Sequence, residues 1–144
     1  MRYEKSCGFI AFIEVDGENR YLLIKGLNRD IGFPKGHVEG EESEIETATR
    51  ELKEETNIEV EAIDGFRWQI DYRLPRVPDV MKETVYFLGR CKNPEALIYQ
   101  REELRDAFFL PYDEAVKELS FDSTKQMLKE AEAYLKGDAK KCDI

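Results

Sequence analysis

The segment from Gly36 to Ile58, GHVEGEESEIETATRELKEETNI, constrains this chain more than any other. Gly36 is followed six residues later by Glu42, and then by Arg50, Glu51, Leu52, Glu54, Glu55 and Ile58. Glu51 and Glu55 stand at i, i+4, and Glu51 and Glu54 at i, i+3. Like charges at these separations repel on a helix by a few tenths of a kcal/mol. A helix selected for stability alone would alternate them with lysine. Hard divalent cations prefer carboxylate and carbonyl oxygen, so the spacing suits a carboxylate cage. The plainer reading is a solvated acidic face with Arg50 and Lys53 as counter-ions.

The 144 residues favour one domain, 1–144, and 42% hydrophobic residues suffice for a packed core. A net charge of -9 argues against duplex nucleic acid or anionic lipid as a partner. It leaves room for a small anionic substrate if cations reverse the local sign. Cys7, Cys91 and Cys142 form no C-x-x-C pair and read as free thiols in a reducing compartment, with Cys142 exposed in a charged tail. No signal-peptide pattern opens the sequence, and no apolar run approaches the ~20 residues of a membrane helix. The expected location is the cytoplasm.

Strands are expected at Cys7–Val15 and Tyr21–Lys25, joined through Asp16-Gly17-Glu18-Asn19 by a loop of moderate length. Leu27 to Lys35 reads as loop. A helix is expected from about Glu42 to Thr56, with Ser43 near its start and Asn57 as a left-handed cap. Ile45, Ala48, Thr49, Leu52 and Thr56 fall on one side and should face the core, with Glu51, Glu54 and Glu55 beside that stripe. Glu59–Tyr72 reads as a strand broken at Asp64-Gly65. Arg73–Asp79, with Pro75 and Pro78, reads as loop. Strands at Lys82–Cys91 and Ala107–Leu110 follow, then helices at Asp113–Leu119 and Ser123–Lys136. The pattern predicts an α/β (α+β) sandwich with a mixed β-sheet.

The long motif is similar to the Nudix box, G-x5-E-x7-R-E-U-x-E-E-x-G-U with U aliphatic. It departs at one constrained position, where Asn57 stands for the last glycine. Asn tolerates the same left-handed conformation. The resemblance implies a Nudix-type α/β/α sandwich. It also implies hydrolysis of a phosphoanhydride in a nucleoside diphosphate derivative with Mg²⁺ or Mn²⁺. Position by position, Glu51, Glu54 and Glu55 match metal-binding glutamates, and the Gly36 carbonyl matches a further ligand. Arg50 matches an arginine that orients a glutamate, and Glu42 matches the brace between loop and helix. The metals would neutralise phosphate oxygens and acidify water, and a carboxylate such as Glu54 would take the proton.

Within the family, GFPKGHVEGEES resembles the opening of asymmetrical diadenosine tetraphosphate hydrolases. Asp64-Gly65-Phe66 with Tyr72, and Lys82 with Tyr86 and Phe87, resemble their strands. Glu103 falls where they carry a late catalytic or metal-binding glutamate, and Phe121 near their stacking phenylalanine. The loop Glu39-Gly40-Glu41-Glu42 differs from their E-P-G-E. Lys35 and Lys82 then suit phosphate, as does His37, whose other reading is a loop histidine without a role. Tyr72, Tyr86 and Phe121 are either core residues or stacking platforms, and Trp68 reads as strand packing. Glu102 and Glu103 otherwise read as a surface pair. Removal of pyrophosphate from RNA 5′ ends, cleaning of oxidised nucleoside triphosphates, and a non-catalytic ligand sensor are the rival readings.

Overall fold

The computed structural model describes residues 2–74 and 76–141, so Cys142 lies outside the described residues. Seven strands and three α-helices follow in the order β1 (Arg2–Val15), β2 (Glu18–Gly26), β3 (Ile31–Gly32), β4 (Lys35–His37), α1 (Glu44–Thr56), β5 (Val60–Leu74), β6 (Val77–Cys91), β7 (Leu104–Pro111), α2 (Tyr112–Glu118) and α3 (Asp122–Lys141). A short 3-10 turn at Pro94–Ala96 precedes β7. The sheet runs β3-β2-β1-β6-β5, with β4 added to β1 and β7 to β2. β1 and β6 pair in parallel, and the other described pairs are antiparallel.

The continuous apolar run of β1 follows from its central place, because a strand covered on both faces need not alternate. Cys7, Phe9 and Ala11 point to one side and join Ala48 and Leu52 of α1. Ile10 and Phe12 point to the other and join Ala115 and Leu119 of α2 and Met127, Leu128 and Ala131 of α3. Helices therefore cover both faces, and the expected α/β/α sandwich with a mixed sheet is the fold.

Several local expectations need correction. The β1–β2 loop has two residues, not a moderate length, since Val15 pairs with Glu18. Asp16 and Gly17 both have positive φ, the pattern of the tight Asp-Gly hairpin turn. The loop before α1 contains the short strands β3 and β4. Most of 73–79 is not loop: β5 reaches Leu74, β6 begins at Val77, and those two residues pair. Pro78 is tolerated because β1 reaches β6 only from Val80 onward, so no ladder bond on that side needs its missing N–H.

The break expected at Asp64-Gly65 is a bulge, where pairing jumps from Ala62 to Arg67. Gly65 takes φ 91. The Tyr134 hydroxyl of α3 donates to the Asp64 carbonyl at 2.6 Å.

Helix α3 is also pinned through a buried carboxylate. Glu132 is 7% exposed; it accepts from the Tyr21 hydroxyl and from Asn19 Nδ2 at 3.2 Å, and pairs with Lys136 at 3.2 Å. Burial, and then Glu132, push the Tyr21 phenol far up, so it stays a donor. Tyr21→Phe leaves that carboxylate short of a partner. It should lower stability by about 2 kcal/mol, read as a reduced midpoint in urea with unchanged slope.

Candidate functional site

The site begins with the way α1 starts. Ser43 Oγ accepts from the Glu46 amide at 3.2 Å and Glu46 Oε1 accepts from the Ser43 amide at 2.8 Å, a reciprocal capping box. The helix thus starts at Glu44, two residues later than expected, which leaves Glu42 in the loop. Asn57, at φ 63, closes the other end and donates its amide to the Lys53 carbonyl at 2.9 Å.

The buried face of α1 differs from the expected stripe. Thr47, Ala48, Leu52 and Thr56 are buried, whereas Thr49 is exposed and Ile45 is 41% exposed. At ~100° per residue, the buried arc is centred between Ala48 and Leu52, with Glu55 about 40° to one side and Ile45 about 40° to the other. Glu51 and Glu55 are half-buried on one flank of that arc, and Thr49 is exposed on the other.

Glycines make room for this. Gly36 on β4 pairs with Cys7. A Cβ at Gly36 would lie 2.0 Å from the carboxyl carbon of Glu51 and 2.2–2.3 Å from its oxygens. Gly8, the partner of Lys35, allows equally close passage, since a Cβ there would fall 2.2 Å from the Pro34 carbonyl oxygen.

Arg50 is the hub of the acidic groups. Its Nε donates to Glu42 Oε2 at 2.7 Å and its Nη2 to Glu42 Oε1 at 3.0 Å, a forked contact. Nη1 reaches Glu51 Oε1 at 2.9 Å and Glu54 Oε2 at 3.2 Å, and Nη2 also donates to the His37 carbonyl at 3.0 Å. Glu42 further accepts from Thr47 Oγ1 and from the Glu39 amide, each at 3.0 Å. Hydrogen bonds from Arg50 first, and then from Glu39, hold the Glu42 carboxyl down at about 2. One guanidinium therefore joins the loop, the helix start and two of the box glutamates.

Glu55 is different. Its Oε2 is buried without a hydrogen-bond partner. Burial foremost, then the charge of Glu51, pushes its carboxyl up to about 8; Glu103 adds to this and Lys35 opposes it. A buried carboxylate oxygen without a donor, beside further carboxylates, is a donor set that a hard divalent cation fits. Among the described residues no group of three potential ligands is already gathered for an ion, because Glu51 and Glu54 turn toward Arg50.

Strand register sets out the remaining candidates. Lys35, Gly8, Tyr86 and Trp68 form one cross-strand row, and His37, Ser6, Thr84 and Ile70 form the next. Glu4, Lys82 and Tyr72 form a third. Rows two residues apart share a face, so Lys35, His37 and Lys82 stand on one side of the sheet. His37 is exposed and Tyr72 is 41% exposed. Tyr86 is only 3% exposed and meets Phe33 edge-on at 6.0 Å. It offers no stacking face, since it lies in phase with buried Thr84 and Leu88. Trp68 is half-buried and stacks on Phe66, as strand packing predicts. Phe121 is 53% exposed on the α2–α3 connection, outside the strand rows. Ser120 ties that connection to β3 through Ile31. Lys82 pairs with Glu4 Oε2 at 2.6 Å. Glu44 pairs with both Lys5 and Arg67. Neither pairing has a sequence signal, because the partners meet only through the sheet.

The NUDIX domain profile matches residues 7–131. Two mammalian proteins named bis(5′-nucleosyl)-tetraphosphatase [asymmetrical] are similar along most of their length. The Sus scrofa protein is 33% identical over 142 residues, and the Rattus norvegicus protein 31% identical over 148. Each alignment covers 91% of this chain and 95% of the relative. A crystal structure of a C. elegans Ap4A hydrolase binary complex superposes with a TM-score of 0.84 at 24% identity, covering 93% of this chain and 98% of that one, a likeness of fold. Nudix hydrolases as a class need divalent cations. With the profile spanning most of the sequence, relatives above 30% identity, and the box glutamates around Arg50 on α1, the chain belongs to the Nudix family.

Proposed function

We propose that this Nudix hydrolase, acting as a single domain, cleaves diadenosine tetraphosphate asymmetrically to ATP and AMP. The observation that carries the reading is the partnerless buried oxygen of Glu55 on the helix that also carries half-buried Glu51. The similarity to asymmetrical bis(5′-nucleosyl)-tetraphosphatases supports the choice of substrate.

Glu51, Glu54 and Glu55, with the Gly36 carbonyl, are the residues that would hold Mg²⁺ or Mn²⁺. A cation bound there supplies charge neutralisation at phosphate and a more acidic water. The chain's own residues do the rest. Arg50 holds Glu51 and Glu54 in place, and Glu42 anchors Arg50 through its forked contact. Glu54 has a side chain 57% exposed and is the carboxylate best open to accept a proton from water. Glu103, whose charge adds to the upward push on the Glu55 carboxyl, is the second carboxylate assigned to this chemistry. Lys35, His37 and Lys82 stand on successive rows of one sheet face and offer positive or donor groups to a polyphosphate. Tyr72 and Phe121 are the exposed aromatics suited to stack on adenine. Tyr86 has no part in stacking.

The acidic balance of the chain turns away duplex nucleic acid. No described helix is long and apolar enough to cross a membrane. The thiols of buried Cys7 and half-buried Cys91, pushed up by burial to about 11 and about 12, suit a reducing cytoplasm.

The test is hydrolysis of diadenosine tetraphosphate in ¹⁸O-labelled water with Mg²⁺ and then Mn²⁺, with products resolved by mass. ATP and AMP are expected, and the labelled product identifies the attacked phosphorus. Two ADP molecules, or activity confined to triphosphorylated RNA ends, would overturn the assignment.

A further inference from the structure

Lys82 is not a bare cation. Its Nζ lies 2.6 Å from Glu4 Oε2, and Arg2 Nη2 lies 3.3 Å from Glu4 Oε1. The Lys82 and Glu4 side chains are 19% and 28% exposed, so solvent screens the pair only in part. Lys82 foremost, with Arg2 and His37 adding, lowers the Glu4 carboxyl from its ordinary value, so it is an anion at neutral pH. In register, Glu4, Lys82 and Tyr72 stand side by side on three adjacent strands. The row lies next to the one that holds His37, on the face that carries Lys35 and Tyr86.

We propose that Glu4 is a specificity-determining residue: an internal counter-anion that occupies Lys82 in the free protein and is exchanged for a substrate phosphate. The inference rests on the proposed use of Lys82 for phosphate. A phosphate that reaches Lys82 either displaces Glu4 or lies against it, and both weaken the gain from the lysine. A ligand with one phosphate recovers little of that loss. A polyphosphate that also engages Lys35 and the acidic centre recovers it through its other charges. Glu4 thus disfavours short phosphates relative to long ones and speeds release of a short product.

Calorimetric titration with inorganic tripolyphosphate in Mg²⁺ buffer at low ionic strength tests this without turnover. Glu4→Gln should tighten binding roughly three- to fivefold, the range of a partly screened ion pair. Titration with orthophosphate should show a gain at least as large. Glu4→Ala, which removes the carboxylate without an amide in its place, should shift both in the same direction. The gain should vanish in the Lys82→Gln background, which by itself weakens binding. Unchanged or weaker binding in both Glu4 variants overturns the inference, as does absence of tripolyphosphate binding. If Lys82→Gln alone leaves binding intact, the phosphate role of Lys82 falls too. Turnover of diadenosine tetraphosphate by the unaltered protein judges the substrate assignment separately.

Discussion

Glu55→Gln is expected to lower turnover on the order of 10³-fold while raising the melting temperature of the metal-free protein above pH 8. The first effect follows from loss of a carboxylate from the donor set, worth about 4 kcal/mol of charge stabilisation. The second comes from burial. Glu55 titrates near 4.5 when unperturbed and at about 8 in the fold. Between those values the folded chain holds the extra proton, so stability falls as pH rises and the loss is complete above the upper value. The cost at pH 8.5 is about 4 to 5 kcal/mol, and an uncharged glutamine avoids most of it. Melting curves in EDTA should place the variant about 10 °C higher at pH 8.5 and close to the unaltered protein at pH 5. Added Mg²⁺ should raise the melting temperature of the unaltered protein more than that of the variant. A variant with full activity, or one that melts lower at both pH values, contradicts the assignment of Glu55.

Gly36→Ala should separate activity from stability in another way. The new methyl would occupy the position of the Glu51 carboxylate, at 2.0–2.3 Å. A side-chain terminus can swing away, so the fold should lose about 1 kcal/mol or less. The swing breaks the 2.9 Å contact with Arg50 and moves Glu51 off its place beside Glu55. Turnover should drop roughly 10²-fold, a cost in line with misplacement of a functional group by about 1 Å. Gly8→Ala is the contrasting case. Its methyl would meet the Pro34 carbonyl oxygen at 2.2 Å, and backbone cannot swing. That change should cost about 3 kcal/mol, within the range of severe core clashes. Urea midpoints and kcat on the same preparations distinguish the two patterns.

The sequence was legible where a residue type has one local use. Ser43 and Asn57 mark the ends of α1 closely, and Asp16-Gly17 marks a hairpin. The exposure of Ile45 and Thr49 and the half-burial of Glu51 and Glu55 were not legible, because periodicity ranks Ile45 and Thr49 as inward and glutamate as outward. That ranking fails at a site where charge is buried for chemistry. The strand reading of most of 73–79 was hidden by the two prolines in the sequence; the tolerance of Pro78 depends on where the β1–β6 pairing begins. The sequence left Tyr86 open between core and stacking platform; Thr84, Tyr86 and Leu88 alternate with period two, and the buried face claimed all three. The partnership of Glu4 with Lys82 had no local signal. Its members are far apart in the chain and meet only when β1 and β6 pair in parallel.

That parallel seam also bears on how the protein is made. Residues 2–12 find their partners at 80–90, and β2 finds β7 later still. At ribosomal speeds of about 5–20 residues per second, the first strand leaves the tunnel on the order of 10 s before its neighbour exists. Over that interval an apolar edge stands open to chaperones or to other nascent chains. A polypeptide that stops short of residue 80 carries the complete signature of its family but lacks Lys82 and the strand that β1 pairs with in parallel, so the cell gains no partial enzyme from an unfinished copy.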